Sequence, residues 1–308
     1  MGYISARLIY ALSLLAGTTL AVFVLFQIVP SDPARIALGA NASAAQVENF
    51  RAELGLDQPP PVRLERYLMG LAQGDWGRSF GDGRPVLREV VSRLAITTAL
   101  ASLASALALL YVGLQLGARR LNRGSVPFRV ANFAMTSLPT MFIGIIVIVG
   151  IRNFYPFNYF SGSLSELSDW AALLPPALVL ALYPMGILGR IADELLREID
   201  TAGYIIAARA RGVSEPAILW RHAMPNMLVP LLAAFGAQFP ILLTSTFVVE
   251  IMFSVPGIGA LLLKSVLERD LPMLQGIVLA STCVVLSTNL LLEMIYPVVD
   301  PRIQVRGS

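Results

Sequence analysis

Long apolar stretches separated by short polar connections dominate the chain. The first extends from Leu8 to Val29, close to the ~20 residues that cross ~30 Å of hydrocarbon as a helix. Others lie at Leu94–Leu116, Val130–Ile151, Trp170–Leu188, Met227–Ile251 and Met273–Val299, six in all. The pattern predicts an all-α, polytopic membrane protein of about six transmembrane helices. Arg7 precedes the first run, whose apolar core exceeds the about 7 to 15 residues of a cleaved signal peptide, so it reads as a retained helix. Pro139, Pro175, Pro176, Pro184, Gly186 and Pro240 fall inside the runs, where neighbouring helices can satisfy the backbone groups they release.

The connections set the orientation. Arg119, Arg120, Arg123 and Arg129 crowd between the second and third runs, whereas the loop after the third carries only Arg152. A short arginine-rich loop marks the cytoplasmic side. An even number of spans then places both termini in the cytoplasm, with Arg7 at one and Arg302 and Arg306 at the other. Pro30–Arg93 lies outside despite its eight arginines, because long loops translocate largely regardless of charge. Within it, Ser43 and Gln46 have capping-box spacing, Val47, Phe50 and Leu54 recur at helical intervals, and Gly55 ends that helix. Leu64, Tyr67, Leu68 and Leu71 mark a second amphipathic helix after Pro59–Pro61. Trp76 and Phe80, beyond the turn at Gly74–Gly77, suit a membrane interface. The chain thus divides into 1–29, a cytoplasmic N-terminus and first span; 30–93, an extracytoplasmic helical segment; and 94–308, a transmembrane core of helices 2–6 with a cytoplasmic loop at 190–226.

That last loop, Arg190 to Asn226, is too polar for the bilayer and reads as two helices joined at a glycine. Asp200 or Thr201 can cap the first, which runs through Tyr204 to Arg211, with Gly212 supplying a left-handed ending. Ser214 caps the second, with Pro216 in its first turn and Ile218, Leu219 and His222 following. Ile205, Ile206 and Ile218 facing water would be unfavourable unless a groove on another protein covered them. The competing reading has the hairpin only capping the helix bundle. A DNA-binding helix-turn-helix shares the outline, but tethering between two membrane spans argues against it.

Composition and chemistry narrow the field. Only 14% of the 308 residues are charged and 56% are hydrophobic, against about 25% charged in soluble domains. The net charge of +3 is scattered among apolar segments and forms no basic face for nucleic acid. The one cysteine, Cys283, excludes an internal disulfide, and the one histidine, His222, excludes a histidine-rich zinc site; no metal or catalytic residues are expected. Binding ATP needs a glycine-rich loop ending in Gly-Lys-Ser/Thr, yet the one lysine, Lys264, follows Leu263. No cofactor is expected on this chain, and any ATP-driven work must come from another. Glu250 and Glu293 are the intramembrane acids, each a gate or a carboxylate reaching water or an arginine. Gln238, Thr244, Ser245, Ser281, Thr288 and Asn289 could line a pathway or simply pack helices. An ion-coupled secondary transporter is disfavoured by the lack of a mid-bilayer carboxylate; a membrane anchor is a third reading.

The run Tyr204-Ile-Ile-Ala-Ala-Arg-Ala-Arg-Gly212, followed after nine intervening residues by His222-Ala-Met-Pro225-Asn226, resembles the coupling loop, or EAA loop, of ABC importer permeases. Met224 stands where that family has leucine, and Ile206 where the general pattern has glutamate; the missing glutamate suits the peptide and nickel branch. Pro30-Ser-Asp32-Pro33, Glu53-Leu-Gly-Leu-Asp57, Gly74-Asp-Trp-Gly77, Phe253-Ser-x-Pro256-Gly257-x-Gly259 and Asp300-Pro-Arg302 extend the likeness over most of the chain. Their order resembles the first of the two permease subunits of dipeptide, oligopeptide or nickel importers.

The resemblance implies a type I ABC importer permease fold in the cytoplasmic (inner) membrane and a role in peptide import, with nickel or a metal chelate as the alternative. It implies that Tyr204, Ala207, Ala208, Arg209, Ala210, Arg211, Gly212, His222, Pro225 and Asn226 dock an ATPase. Gln238, Thr244, Glu250, Pro256, Gly257 and Gly259 are the pathway or gate candidates. The expected partners are a second homologous permease, two ATPase subunits that carry ATP and Mg, an extracytoplasmic substrate-binding protein and membrane lipid.

Overall fold

The computed structural model describes residues 2–28, 33–38, 42–53, 55, 57–120, 126–151 and 167–299. Its helices are α1 (Gly2–Ile28), α2 (Pro33–Leu38), α3 (Ala44–Glu53), α4 (Pro60–Ala72), α5 (Val86–Arg120), α6 (Val126–Ser137) and α7 (Thr140–Ile151). They continue with α8 (Leu167–Asp200), α9 (Gly203–Ala210), α10 (Glu215–Ile218), α11 (Met224–Met252), α12 (Ile258–Leu267) and α13 (Leu271–Val299). Among the described residues the β-type pairing is one isolated antiparallel bridge, Arg78 to Pro85. The all-α expectation holds.

The helices Val86–Arg120, Asp169–Asp200, Glu215–Met252 and Leu271–Leu292 are each long and apolar enough to cross a membrane. α1 is 27 residues long, with an apolar stretch at Ile9–Val24. The third run departs from expectation: it is two helices, α6 and α7, bent by 102°. Pro139 is the cause, since it lacks an N–H and disfavours helical geometry at Leu138, so one helix stops at Ser137 and the next starts at Thr140. α8, in contrast, stays helical through Pro175, Pro176 and Pro184. It also continues to Asp200, so the stretch from Arg190 to Asp200, expected as loop, is an extension of the fourth span. α12 was not foreseen.

The chain divides into two compact units, Met1–Ala95 with Gly257–Leu286, and Ile96–Pro256 with Ser287–Ser308. In the first, the capping box is formed: Ser43 N–H donates to Gln46 Oε1 at 2.9 Å and Gln46 N–H to Ser43 Oγ at 3.3 Å. Phe23 of α1 stacks on Tyr67 of α4 at 6.3 Å between ring centroids, and burial pushes the Tyr67 phenol up to about 12. Asp270, 3% exposed, caps α13 by accepting from Met273 N–H at 3.3 Å. It also accepts from Ser79 Oγ and, at 3.1 Å, from Phe80 N–H, tying the 79–80 turn to the start of that helix.

In the second unit α8 packs against α6, α7 and α11. A polar knot joins α5, α6 and α8: Gln115 Nε2 donates to Gly189 O at 2.9 Å, Asn132 Nδ2 to Gln115 Oε1 at 3.3 Å, and Tyr111 Oη to Asn132 Oδ1 at 2.6 Å. Gln115 is fully buried and Asn132 nearly so, so each polar atom here needs a partner and has one. A Cβ on Gly186 would sit 2.8 Å from Asn132 O; only glycine lets α6 and α8 approach so closely. Pro30, Asp32, Arg123, Arg152, Asp300, Arg302 and Arg306 lie outside the described residues, as do the side chains of Arg7 and Glu293.

Candidate functional site: a helical hairpin between two spans

The hairpin between α8 and α11 is built from its own small core. Ile205, Ala208 and Ile218 are buried together, with Ile199, Ala202 and Val213 against them. Two of the three isoleucines expected to face water therefore close the hairpin instead. Ile206 is 56% exposed, and Tyr204 (47%) and Trp220 (63%) are exposed with it. These large apolar groups are the surface that a partner would cover.

Local geometry follows the sequence in part. Gly212 has φ 77°, the left-handed ending expected after α9, and Gly212 N–H donates to Arg209 O at 2.9 Å. The caps differ from expectation. Ala202, not Asp200 or Thr201, occupies the N-cap of α9, and neither it nor Ser214 of α10 makes a side-chain cap bond. Asp200 is engaged elsewhere, with arginines, which is why it does not cap. A π-helical turn, Leu219–Ala223, follows α10, and Met224 N–H reaches Leu219 O. Pro225 accounts for it: with no N–H to offer and a ring that crowds the carbonyl of Arg221, it widens the turn before it. His222 lies in this turn, half-buried.

The two ends of the motif meet. Asn226 Nδ2 donates to Tyr204 Oη at 3.3 Å and to His222 O at 2.7 Å. Ala207, Ala210, Arg211 and Pro225 are exposed, and Arg211 Nε bonds Ala207 O at 3.1 Å. Arg209 is not a free surface cation. Its Nε donates to Glu215 Oε1 at 2.7 Å and its Nη2 to Asp200 Oδ1 at 2.9 Å. The hydrogen bond from Arg209 holds Glu215 below the usual carboxylate range, and the same bond raises the Arg209 guanidinium.

Arginines used to orient the chain anchor this region. Arg120, the last residue of α5, bonds Asp200 at 2.6 Å and Glu215 at 2.9 Å. Asp193 of α8, 6% exposed, pairs with Arg119 at 2.5 Å, with Arg129 at 3.5 Å and with Arg197. Sequence reading missed Asp193, Asp200 and Glu215 as partners, since no spacing rule links them to residues far along the chain. Trp220 could have been noticed as a large aromatic in a polar segment.

The pathway candidates are scattered. Gln238, Thr244 and Glu250 all lie on α11, where a six-residue step turns each by about 120° around the axis from the last. Gln238 has a buried Oε1 without a hydrogen-bond partner among the described residues. Thr244 is exposed and its hydroxyl returns to Pro240 O at 3.0 Å. Glu250 is fully buried and accepts from Thr97 Oγ1 of α5 at 2.6 Å. Pro256 is half-buried, and Gly257 and Gly259 are buried around the start of α12. Among the described residues no group of three or more His, Cys, Asp or Glu side chains could hold a metal ion.

Comparison with known proteins fixes the family. Residues 109–305 match the family described as binding-protein-dependent transport system inner membrane component. Residues 1–101 match the N-terminal family of the same membrane components. The chain belongs to this family. Relatives include a protein of Brucella suis biovar 1, provisionally named a peptide transport system permease protein. It is 34% identical over 305 residues, covering 96% of this chain and 97% of the relative. A glutathione transport system permease protein of Salmonella paratyphi A is 31% identical over 313 residues, covering 99% of each. The permease is thus a multi-pass inner membrane component of an ABC-type import system, and the family's work is transport, not chemical conversion.

Proposed function

We propose that this permease imports peptides and takes its energy from separate ATPase subunits docked on the hairpin Gly203–Ala223. The supporting observation is the exposure of Tyr204, Ile206 and Trp220 on an element whose own core is already filled. Relatives named for peptides and for glutathione support a peptide-class substrate. The full complex contains a second homologous permease, two ATPases binding ATP and Mg, and an extracytoplasmic binding protein, with both termini of this chain in the cytoplasm.

In this reading ATP-driven closure of the two ATPases pulls the paired hairpins together and turns the permeases from inward- to outward-facing. Substrate delivered by the binding protein enters the shared cavity and leaves inward after hydrolysis. Nothing more is required than different contacts with the hairpin in the two nucleotide states, because coupling is a difference in interaction free energy. Residues Tyr204, Ala207, Arg211 and Gly212, with Pro225 and Asn226, shape the docked element. Glu250 and Gln238 are assigned to the pathway wall or gate.

The test is uptake by the reconstituted complex. Trp220→Asp and Ile206→Asp should each abolish transport while the chain still inserts, and Gly212→Pro or Arg209→Glu should do the same. Normal uptake with Trp220→Asp and Ile206→Asp together would exclude docking at this surface. Uptake that survives loss of the ATPases and collapses with an uncoupler would instead identify an ion-coupled transporter.

A further inference from the structure

Four charged side chains from four helices close a ring at the root of the hairpin. Arg120 Nη1 at the end of α5 contacts Asp200 Oδ1 at 2.6 Å and Glu215 Oε2 at 2.9 Å. Arg209 of α9 contacts the same two carboxylates, at 2.9 and 2.7 Å. Asp200 ends α8 and Glu215 begins α10. The ring carries two positive and two negative charges and balances.

Its members are unequal. The side chain of Arg120 is 4% exposed, whereas those of Asp200, Glu215 and Arg209 are 26%, 39% and 37% exposed. Exposed ion pairs contribute little, but a buried guanidinium without its carboxylates is strongly unfavourable. Arg120 also uses a single nitrogen for both carboxylates, and its Nε and Nη2 are buried without a hydrogen-bond partner among the described residues. The bonds present here are therefore directional and incomplete, so displacing the hairpin would strand a buried charge.

Chain connectivity gives this bond its meaning. The hairpin is joined covalently to α8 through the turn at Thr201–Ala202 and to α11 through the π-helical turn Leu219–Ala223, and it folds back on itself at Arg211–Ser214. α5 has no such link. We propose that Arg120 is a positioning residue that yokes α5 to the coupling hairpin, so that a pull on the hairpin moves α5 with it and is not absorbed by the turns. Resting on the docking role proposed above, this adds α5 to the moving body and assigns its direct attachment to the hairpin to Arg120. Arg209 contacts the same two carboxylates and so holds Asp200 and Glu215 in register for Arg120.

The test uses the full complex in proteoliposomes, with spin labels at Ser214 in the hairpin and at Leu114 on α5, neither of them buried, in a Cys283→Ser background. In the unmodified ring the distance between labels should stay narrow and unmoved when ATP and vanadate are added. Arg120→Gln should broaden or shift it, and should lower uptake of mixed radiolabelled di- and tripeptides per ATP hydrolysed by roughly fivefold or more. Arg120→Lys should restore much of both. Should Arg120→Gln fail to insert, Asp200→Asn with Glu215→Gln opens the same ring from its exposed side, and the same readings apply. An unmoved distance and an unchanged uptake ratio in the opened ring would overturn the proposal, even with a lowered melting temperature. Failure of the ATPases to co-purify with the unaltered chain would instead overturn the docking reading itself, which keeps the two claims separate.

Discussion

Gly186 and Gly212 show how differently one residue type can be required. At Gly212 the backbone is left-handed, with φ 77°, and a Cβ would meet nothing nearby; the constraint is conformational. Gly212→Ala should therefore cost about 1–2 kcal/mol without disturbing packing. Gly186 is a matter of space, since a Cβ would lie 2.8 Å from Asn132 O and 2.6 Å from Thr136 Cγ2. Gly186→Ala should lower stability by about 1–3 kcal/mol through overpacking and should loosen the Tyr111–Asn132–Gln115 knot, read as a lower unfolding midpoint in detergent. Glycine at 212 was legible from sequence, because it follows a helical run and stands two residues before Ser214, which with Pro216 is placed to open the next helix. Glycine at 186 was seen only as a break in an apolar run, because its neighbour, Asn132, is far away along the chain.

Among the elements, the hairpin gains most from the structure. Its existence, its glycine and its two helices follow from local signals, but which of its isoleucines face inward depends on how α9 and α10 meet. Glu215 gives this element a pH signature. Its pKa is held below the ordinary 4.5 by the hydrogen bond from Arg209, so the ring's contribution is fully present above that value and fades as pH falls through the lowered one. Hairpin protection measured by hydrogen exchange should thus be flat between about pH 6 and 8 and decline below about 4.5; a decline already complete above about pH 6 would exclude this carboxylate as its source. A second element carries its own prediction. Asp270→Ala removes the cap of α13 and the acceptor for Ser79 and Phe80, so stability should fall by roughly 0.5–2 kcal/mol. The Phe80 and Met273 amides should exchange faster, and Asp270→Asn, still a good cap, should retain most of the protection at Met273.

At the scale of the whole molecule, the apolar runs, the arginine asymmetry and the hairpin were readable from the sequence, because each is a local or additive property of the chain. Bilayer thickness fixes the length of a span, helical periodicity fixes an amphipathic face, and a left-handed glycine fixes a helix end. The motif residues from Tyr204 to Asn226 were likewise evident in one dimension. Tertiary structure alone decided which distant charges meet. Arg120 was counted as one of several arginines marking a side of the membrane, yet its physical role is set by Asp200 and Glu215, 80 and 95 residues away. Glu250 was ambiguous between gate and snorkelling carboxylate; in the structure it is buried against Thr97. The difference has one cause: burial and partner choice are properties of packing between segments, and no local pattern encodes them.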